Sequence, residues 1–188
     1  MNAWEVGGVV FGVAAVWLTV KENVWCWPVG LVNVALFIVV FWQARLYADM
    51  GLQVAYVALC LYGWWAWLHG GADHGFLRVS RAPRRAVAAL ALAGTLGAAA
   101  LGLTLDRHTD ASLPFWDSTT TSFSLVAQAL QTKKWIENWL VWLAVDAVYV
   151  GIYVWKGLYL TAGLYAVFLV LAAKGLVEWR RALGRASA

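Results

Sequence analysis

Charge is what this chain has least of. Asp, Glu, Lys and Arg make up 13% of its 188 residues, where a soluble domain carries about 25%, and that shortage excludes a fully solvated surface. Cysteine is nearly absent as well. Cys26 and Cys60 lack metal-ligand spacing, and no disulfide can be inferred from two thiols. The histidines, His69, His74 and His108, fall near helix ends or in loops, which excludes a zinc, haem or iron–sulfur pattern. There is no P-loop, nucleophile elbow or paired-carboxylate arrangement. An enzyme reading therefore has little to stand on, and no cofactor is expected.

Apolar length is abundant instead. Hydrophobic residues reach 63% and mean hydropathy is +0.68, values that belong in a bilayer. Apolar runs lie near residues 4–20, 25–42, 51–69, 86–105, 118–132, 138–155 and 159–177. Most are about 17 to 20 residues, enough to cross ~30 Å at ~1.5 Å per residue. The expectation is an all-α membrane protein of seven transmembrane helices. The fifth run, "STTTSFSLVAQALQT", is rich in hydroxyls and amides. Unsatisfied in lipid, these would cost several kcal/mol, so this helix is expected to face protein or a water-filled cavity. No basic segment precedes the first run in "MNAWEVGG", so no cleaved signal peptide is expected.

Lys and Arg predict the orientation. With the N-terminus outside, eleven basic residues fall on inner segments, and only Arg45, Arg107 and Lys156 on outer ones. The positive-inside rule then puts the N-terminus out and the C-terminus in. The basic loop "RVSRAPRR" is expected to anchor at lipid headgroups, and no nucleic-acid partner is expected.

The chain repeats itself. Shifted without a gap, residues 4–67 align with 116–179 and match at sixteen of 64 positions, among them Trp27/Trp139, Gly63/Gly175 and Trp67/Trp179. Shared apolar composition alone would give about 8%. Helices 1–3 and 5–7 are thus two copies of one unit. Because each copy has an odd number of spans, helix 4 must return the chain so that both point the same way. The expected organisation is a first three-helix repeat over 1–70, a basic loop and linker helix over 71–112, and a second repeat with its tail over 113–188. A pathway between the copies follows.

Polar side chains mark that pathway. Trp139, Trp142, Asp146 and Tyr149 share one face of helix 6. Thr121, Ser124, Gln128 and Gln131 form a stripe on helix 5, Gln53, Tyr56 and Cys60 one on helix 3, while Asn33 and Tyr165 lie in helices 2 and 7. Such groups face bundle interiors and often mark a substrate path, although Asn33 and Gln128 could equally be interhelical partners with no ligand. Trp25, Trp27, Trp135 and Trp179 are assigned to an interfacial belt. Aromatic faces with amides and hydroxyls suit a planar ring bearing a polyol, and an aspartate among aromatics suits a positively charged ring. A heteroaromatic nucleoside or vitamin fits. The filters or charged rings of an ion channel are not legible, and Asp146 with Glu137 makes a thin proton relay.

Three stretches carry a resemblance: "GLVNVALFIVVFWQARLYADMGLQVAYVALCLYGWWAW" (30–67), "PFWDS" (114–118) and the segment from "KKWIENWLVW" to "LAAKG" (133–175). They resemble the PnuC family of nicotinamide riboside transporters over nearly the whole chain except helix 4 and the termini. The resemblance implies a multi-pass bacterial inner-membrane protein with a 3+1+3 parallel repeat, SWEET-like, and a homo-oligomer, a trimer being one form. It implies facilitated diffusion, with the riboside trapped when a cytoplasmic kinase phosphorylates it. The family's substrate region matches Gln128, Asn138, Trp139, Trp142 and the Asp146 position. Together with Asn33, Tyr56 and Tyr149 these are the expected substrate-binding residues. Some members carry Asn in place of Asp146. Thiamine or riboflavin, carried by relatives, stays open as the substrate, as does a membrane vitamin-binding protein that does not transport. Asp146 either accepts ribose hydroxyls, offsets a ring's charge, or bonds a neighbouring helix.

Overall fold

The computed structural model describes residues 3–43, 47–109 and 113–186. Arg45 and Leu46, used above in the charge count and the repeat, lie outside them. Among the described residues seven α-helices follow in order: α1 (Ala3–Val20), α2 (Cys26–Gln43), α3 (Tyr47–His69), α4 (Arg84–His108), α5 (Pro114–Thr132), α6 (Glu137–Trp155) and α7 (Tyr159–Ala186). A 3-10 turn, Ala72–His74, sits between α3 and α4. Among the described residues six helices are long and apolar enough to cross a membrane; α5 is not one of them.

Local chemistry sets the boundaries. Proline stands at or just before three helix starts: Pro28 in the first turn of α2, Pro83 at the N-cap of α4 and Pro114 opening α5. There its missing N–H costs nothing and its φ is already helical. Pro114 explains why α5 begins before the apolar run does. Past its apolar run α7 continues through "EWRRALGRA", which holds no breaker stronger than Gly184.

The helices α1 and α5 end alike. Asn23 N–H bonds Leu18 O and Glu22 N–H bonds Thr19 O; in the second copy Trp135 N–H bonds Leu130 O and Lys134 N–H bonds Gln131 O. Each is a Schellman closure. Its left-handed residue is not glycine but Glu22 (φ 55°) or Lys134 (φ 53°), at a cost of about 1 kcal/mol or more. An ion pair across the repeats offsets that cost: Lys134 Nζ is 3.1 Å from the Glu22 carboxylate. The same ammonium donates to Leu77 O at 3.0 Å and lies 4.6 Å from the centre of the Trp67 ring.

The largest buried side chains gather at this hairpin end, not at mid-bundle. Trp27, Trp67, Trp139 and Trp179 are all buried. Trp27 meets Trp67 edge-on at 5.4 Å, Trp139 meets Trp179 edge-on at 5.3 Å, and Trp67 and Trp179 are 6.0 Å apart. Trp67 Nε1 donates to Gln131 O at 3.0 Å and Trp179 Nε1 to Thr19 O at 3.1 Å. Position 19 aligns with 131 and 67 with 179, so one bond made twice stitches the copies together about a pseudo-twofold axis. The belt expectation for Trp27 and Trp179 is therefore corrected: they are core, because each ring packs edge-on against another tryptophan inside the bundle, and Trp179 also finds its carbonyl acceptor there. Trp25, 64% exposed, suits a belt.

The segment between α3 and α4 crosses this end. Ser80 pairs with Trp135 through Ser80 N–H to Lys134 O and Ile136 N–H to Ser80 O. Ala82 N–H donates to the Glu137 carboxylate at 2.9 Å, so Glu137 anchors a loop. Helix packing follows the repeat, α1 meeting α2 and α7 while α5 meets α6 and α3. The connecting helix α4 packs on α5, where Gly94, Gly97 and Gly102 let Phe123, Ser122 and Ser118 approach closely. Part of the polarity of α5 is thereby absorbed: Ser118 and Ser122 are buried toward α4.

Candidate functional site: a cavity between the two repeats

Between the triplets α1–α3 and α5–α7 lies a cavity of about 440 Å³ that stops at the tryptophan cluster. All six helices of the two copies line it, and α4 does not. Another part of α5's polarity faces here: Thr121, Ser124, Gln128 and Gln131 are lining residues, as a helix too polar for lipid requires.

Seven of the eight expected site residues line this space: Asn33, Tyr56, Gln128, Trp139, Trp142, Asp146 and Tyr149. Asn138 stands apart. It is fully buried beside the hairpin, its amide donating to Trp135 O at 2.6 Å, and its Oδ1 has no partner among the described residues. Asn33 is shared between two roles, for its amide also donates to Gly8 O of α1 at 2.6 Å. That bond needs the bare backbone of Gly8 and Gly12, whose added Cβ atoms would press on Phe37 and on Asn33 itself. Gln128 Nε2 makes a long contact of 3.9 Å to Cys60 Sγ. Trp142 Nε1 donates to Gln131 Oε1 at 3.3 Å.

Asp146 is 4% exposed, one turn of α6 beyond Trp142. Tyrosines gather on its far side: Tyr149 and Tyr165 are 4.5 Å apart, Tyr153 and Tyr165 5.2 Å, and Tyr149 and Tyr153 5.8 Å. The Tyr149 hydroxyl lies against the α5 hydroxyls of Thr120, Thr121 and Ser124. A carboxylate within a wall of π-faces is an arrangement that holds a cationic ring.

The copies contribute the same positions with different chemistry. Asp146 aligns with Val34, Tyr149 with Phe37, Tyr153 with Phe41 and Trp142 with Gly30, and all eight line the cavity. On the next helix Ser124 aligns with Gly12 and Gln128 with Val16. The second copy is the polar wall, and the first is mostly smooth. Tyr153, Phe37, Phe41 and Phe168 were missed from sequence. The stripe Trp142–Asp146–Tyr149 needed only one more turn to reach Tyr153, and the repeat then points to 37 and 41. Among the described residues no group of three metal-ligating side chains forms, and no Lys, Arg or His lines the cavity.

The family model described as nicotinamide mononucleotide transporter matches residues 2–181. The chain is 28% identical to the nicotinamide riboside transporter PnuC of Escherichia coli (strain K12), covering 93% of this chain and 84% of that one. It is 26% identical to the riboflavin/roseoflavin transporter RibM of Streptomyces davaonensis, covering 92% and 82%. A crystal structure of the vitamin B3 transporter PnuC shares the fold with a TM-score of 0.73 at 22% identity, over 95% of this chain and 81% of that one. These relatives are transporters and not enzymes, and the apolar helices make this a multi-pass membrane protein. With nearly its whole length matched, the chain belongs to the nicotinamide mononucleotide transporter family.

Proposed function

We propose that the protein carries nicotinamide riboside across the bacterial inner membrane by facilitated diffusion, with net uptake drawn inward by a cytoplasmic riboside kinase. One observation carries the choice of ligand. Among the described residues the cavity lining combines aromatic faces, amides and one carboxylate with no basic side chain. A cationic pyridinium riboside meets an opposite charge there, whereas the phosphate of a mononucleotide would be buried without a cation, at a cost of several kcal/mol. Riboflavin is the second reading, favoured by the likeness to RibM; its ring is neutral and gains nothing from Asp146.

The test is uptake into proteoliposomes, with unlabelled nicotinamide riboside, nicotinamide mononucleotide, thiamine and riboflavin as competitors. Nicotinamide riboside should compete best and the mononucleotide worst. If riboflavin alone competes, the second reading replaces the first. Binding without uptake identifies a binding protein rather than a carrier.

Without ion coupling, an imposed proton or sodium gradient at zero potential should not drive accumulation. A membrane potential should act on the cation itself, by about 2.3 kcal/mol, roughly fiftyfold, per 100 mV. Uphill accumulation of unmodified substrate from an ion gradient alone would refute facilitated diffusion.

We assign the hairpin end to the cytoplasm. Lys21, Lys133, Lys134, Lys174 and the arginines of the α3–α4 segment gather there. A tag before Met1 should then be periplasmic and one after Ala188 cytoplasmic. Protease added to intact spheroplasts should remove only the first; loss of the C-terminal tag would reverse the assignment. The long apolar faces left exposed on α4, at Leu92, Leu96 and Leu103, suit lipid or a neighbouring copy in a homo-oligomer.

A further inference from the structure

Gln131 is held at both ends of one residue. Its side-chain Oε1 accepts from Trp142 Nε1 at 3.3 Å, inside the cavity, and its backbone O accepts from Trp67 Nε1 at 3.0 Å, in the cluster that closes the hairpin end. The next residues along the chain are Thr132, Lys133 and Lys134, and Lys134 carries the ion pair to Glu22. From the cavity wall to the inter-repeat latch is therefore a few bonds of one turn.

The repeat supplies an internal control. Thr19 occupies the aligned position and its O likewise accepts from Trp179 at 3.1 Å. Its side chain, however, turns back to Ala15 O of its own helix at 2.9 Å, and the position aligned with Trp142 is Gly30. The closing bond is made by both copies, but only the second extends it into the cavity. Packing at the hairpin end does not need the Gln131 side chain, since the Thr19 side makes the same closure without one.

We propose that Gln131 is the positioning residue that couples ligand at Trp142 to the closed state of the hairpin end. A ring stacking on Trp142 shifts or fixes that indole, the indole holds the Gln131 amide, and the Gln131 backbone holds Trp67. The path is a contiguous hydrogen-bonded network between two sites, the form in which coupling is physically carried. It rests on the proposed carriage of nicotinamide riboside, and its test separates the two.

Cys26 reports on the closure. It is 3% exposed, adjacent in sequence to Trp27 of the cluster. The test uses purified full-length protein carrying Cys60→Ala, the residue that the aligned position 172 already has, so that Cys26 is the single thiol. Maleimide labelling of Cys26, nicotinamide riboside affinity and proteoliposome exchange are measured in this reference and with Gln131→Leu or Gln131→Glu added. Saturating nicotinamide riboside should change the labelling rate of the reference by at least about fivefold, the lower range of ordinary coupling. Gln131→Leu should still bind, weaker by about three- to tenfold for a lost hydrogen bond, yet labelling should no longer respond to ligand and exchange should fall by more than affinity does. Gln131→Glu, which keeps an acceptor oxygen for Trp142, should restore the response. A ligand response in Gln131→Leu equal to the reference would mean direct shielding of Cys26 and would overturn the coupling. So would a reference protein that binds nicotinamide riboside with unchanged labelling. If neither the wild-type protein nor the reference made with Cys60→Ala or Cys60→Ser binds nicotinamide riboside, the proposed substrate fails, and riboflavin takes its place in the same comparison with the same criteria; a protein that binds neither loses both proposals.

Discussion

Replacing Trp142 with alanine is expected to weaken nicotinamide riboside binding by about 1–3 kcal/mol, roughly 5- to 150-fold in Kd. The indole lines the cavity and is fixed by its bond to Gln131, so a stacked ring loses both its partner face and that face's orientation. Trp142→Phe should keep much of the affinity. Asp146→Asn divides charge from hydrogen bonding, since the amide retains an acceptor for ribose hydroxyls but cannot offset a cationic ring. If charge is what Asp146 supplies, Asp146→Asn should weaken nicotinamide riboside more than its neutral reduced form. Equal small losses for both would assign Asp146 to the hydroxyls. Titration calorimetry on the two ligands reads this directly, and a silent Trp142→Ala together with a silent Asp146→Asn would place the ligand elsewhere.

Alanine at Gly63 or at Gly175 is expected to destabilise the protein by about 1–3 kcal/mol each, the usual cost of overpacking a filled core. A Cβ on Gly175 would lie 2.5 Å from the ring of Trp139, and one on Gly63 would overlap the ring of Trp27. Neither indole can step aside, because each meets a second tryptophan edge-on and is buried on all sides. The readout is the melting temperature of the purified protein, which should fall for both variants. Gly51→Ala and Gly163→Ala are the controls: both are repeat-aligned glycines with open space around them, and neither should shift the transition downward by a comparable amount. Unchanged melting for Gly63→Ala and Gly175→Ala would show that the cluster yields more easily than its geometry implies.

What could be foreseen from sequence depended on periodicity. The seven helices and the parallel repeat were legible because apolar run length and the match of 4–67 with 116–179 are properties of the chain itself. The helix 6 stripe was legible for the same reason, since Trp142, Asp146 and Tyr149 share a face whatever surrounds the helix. Trp27 and Trp179 were misplaced because a tryptophan near a helix end looks the same in sequence whether lipid or another tryptophan covers it. Asn138 sits on the stripe's margin, and a single residue's rotation decides between cavity and hairpin. The hydrogen bond from Asn33 to Gly8, the Glu22–Lys134 pair and the loop bridged at Ser80 join residues far apart in sequence, and no local pattern encodes such meetings.

The Glu22–Lys134 contact has a consequence for ancestry. Positions 22 and 134 are the same position in the two copies, and the pseudo-twofold axis brings them within 3.1 Å of each other. A free-standing three-helix unit that paired with an identical partner would meet like charge with like at this spot, two carboxylates or two ammoniums, in either case a repulsion. Only once the two copies were distinct sequences, as the two halves of this chain are, could one turn become acidic and the other basic. Closure in the present form is thus a property of the fused protein that neither half, assembled with itself, could reproduce.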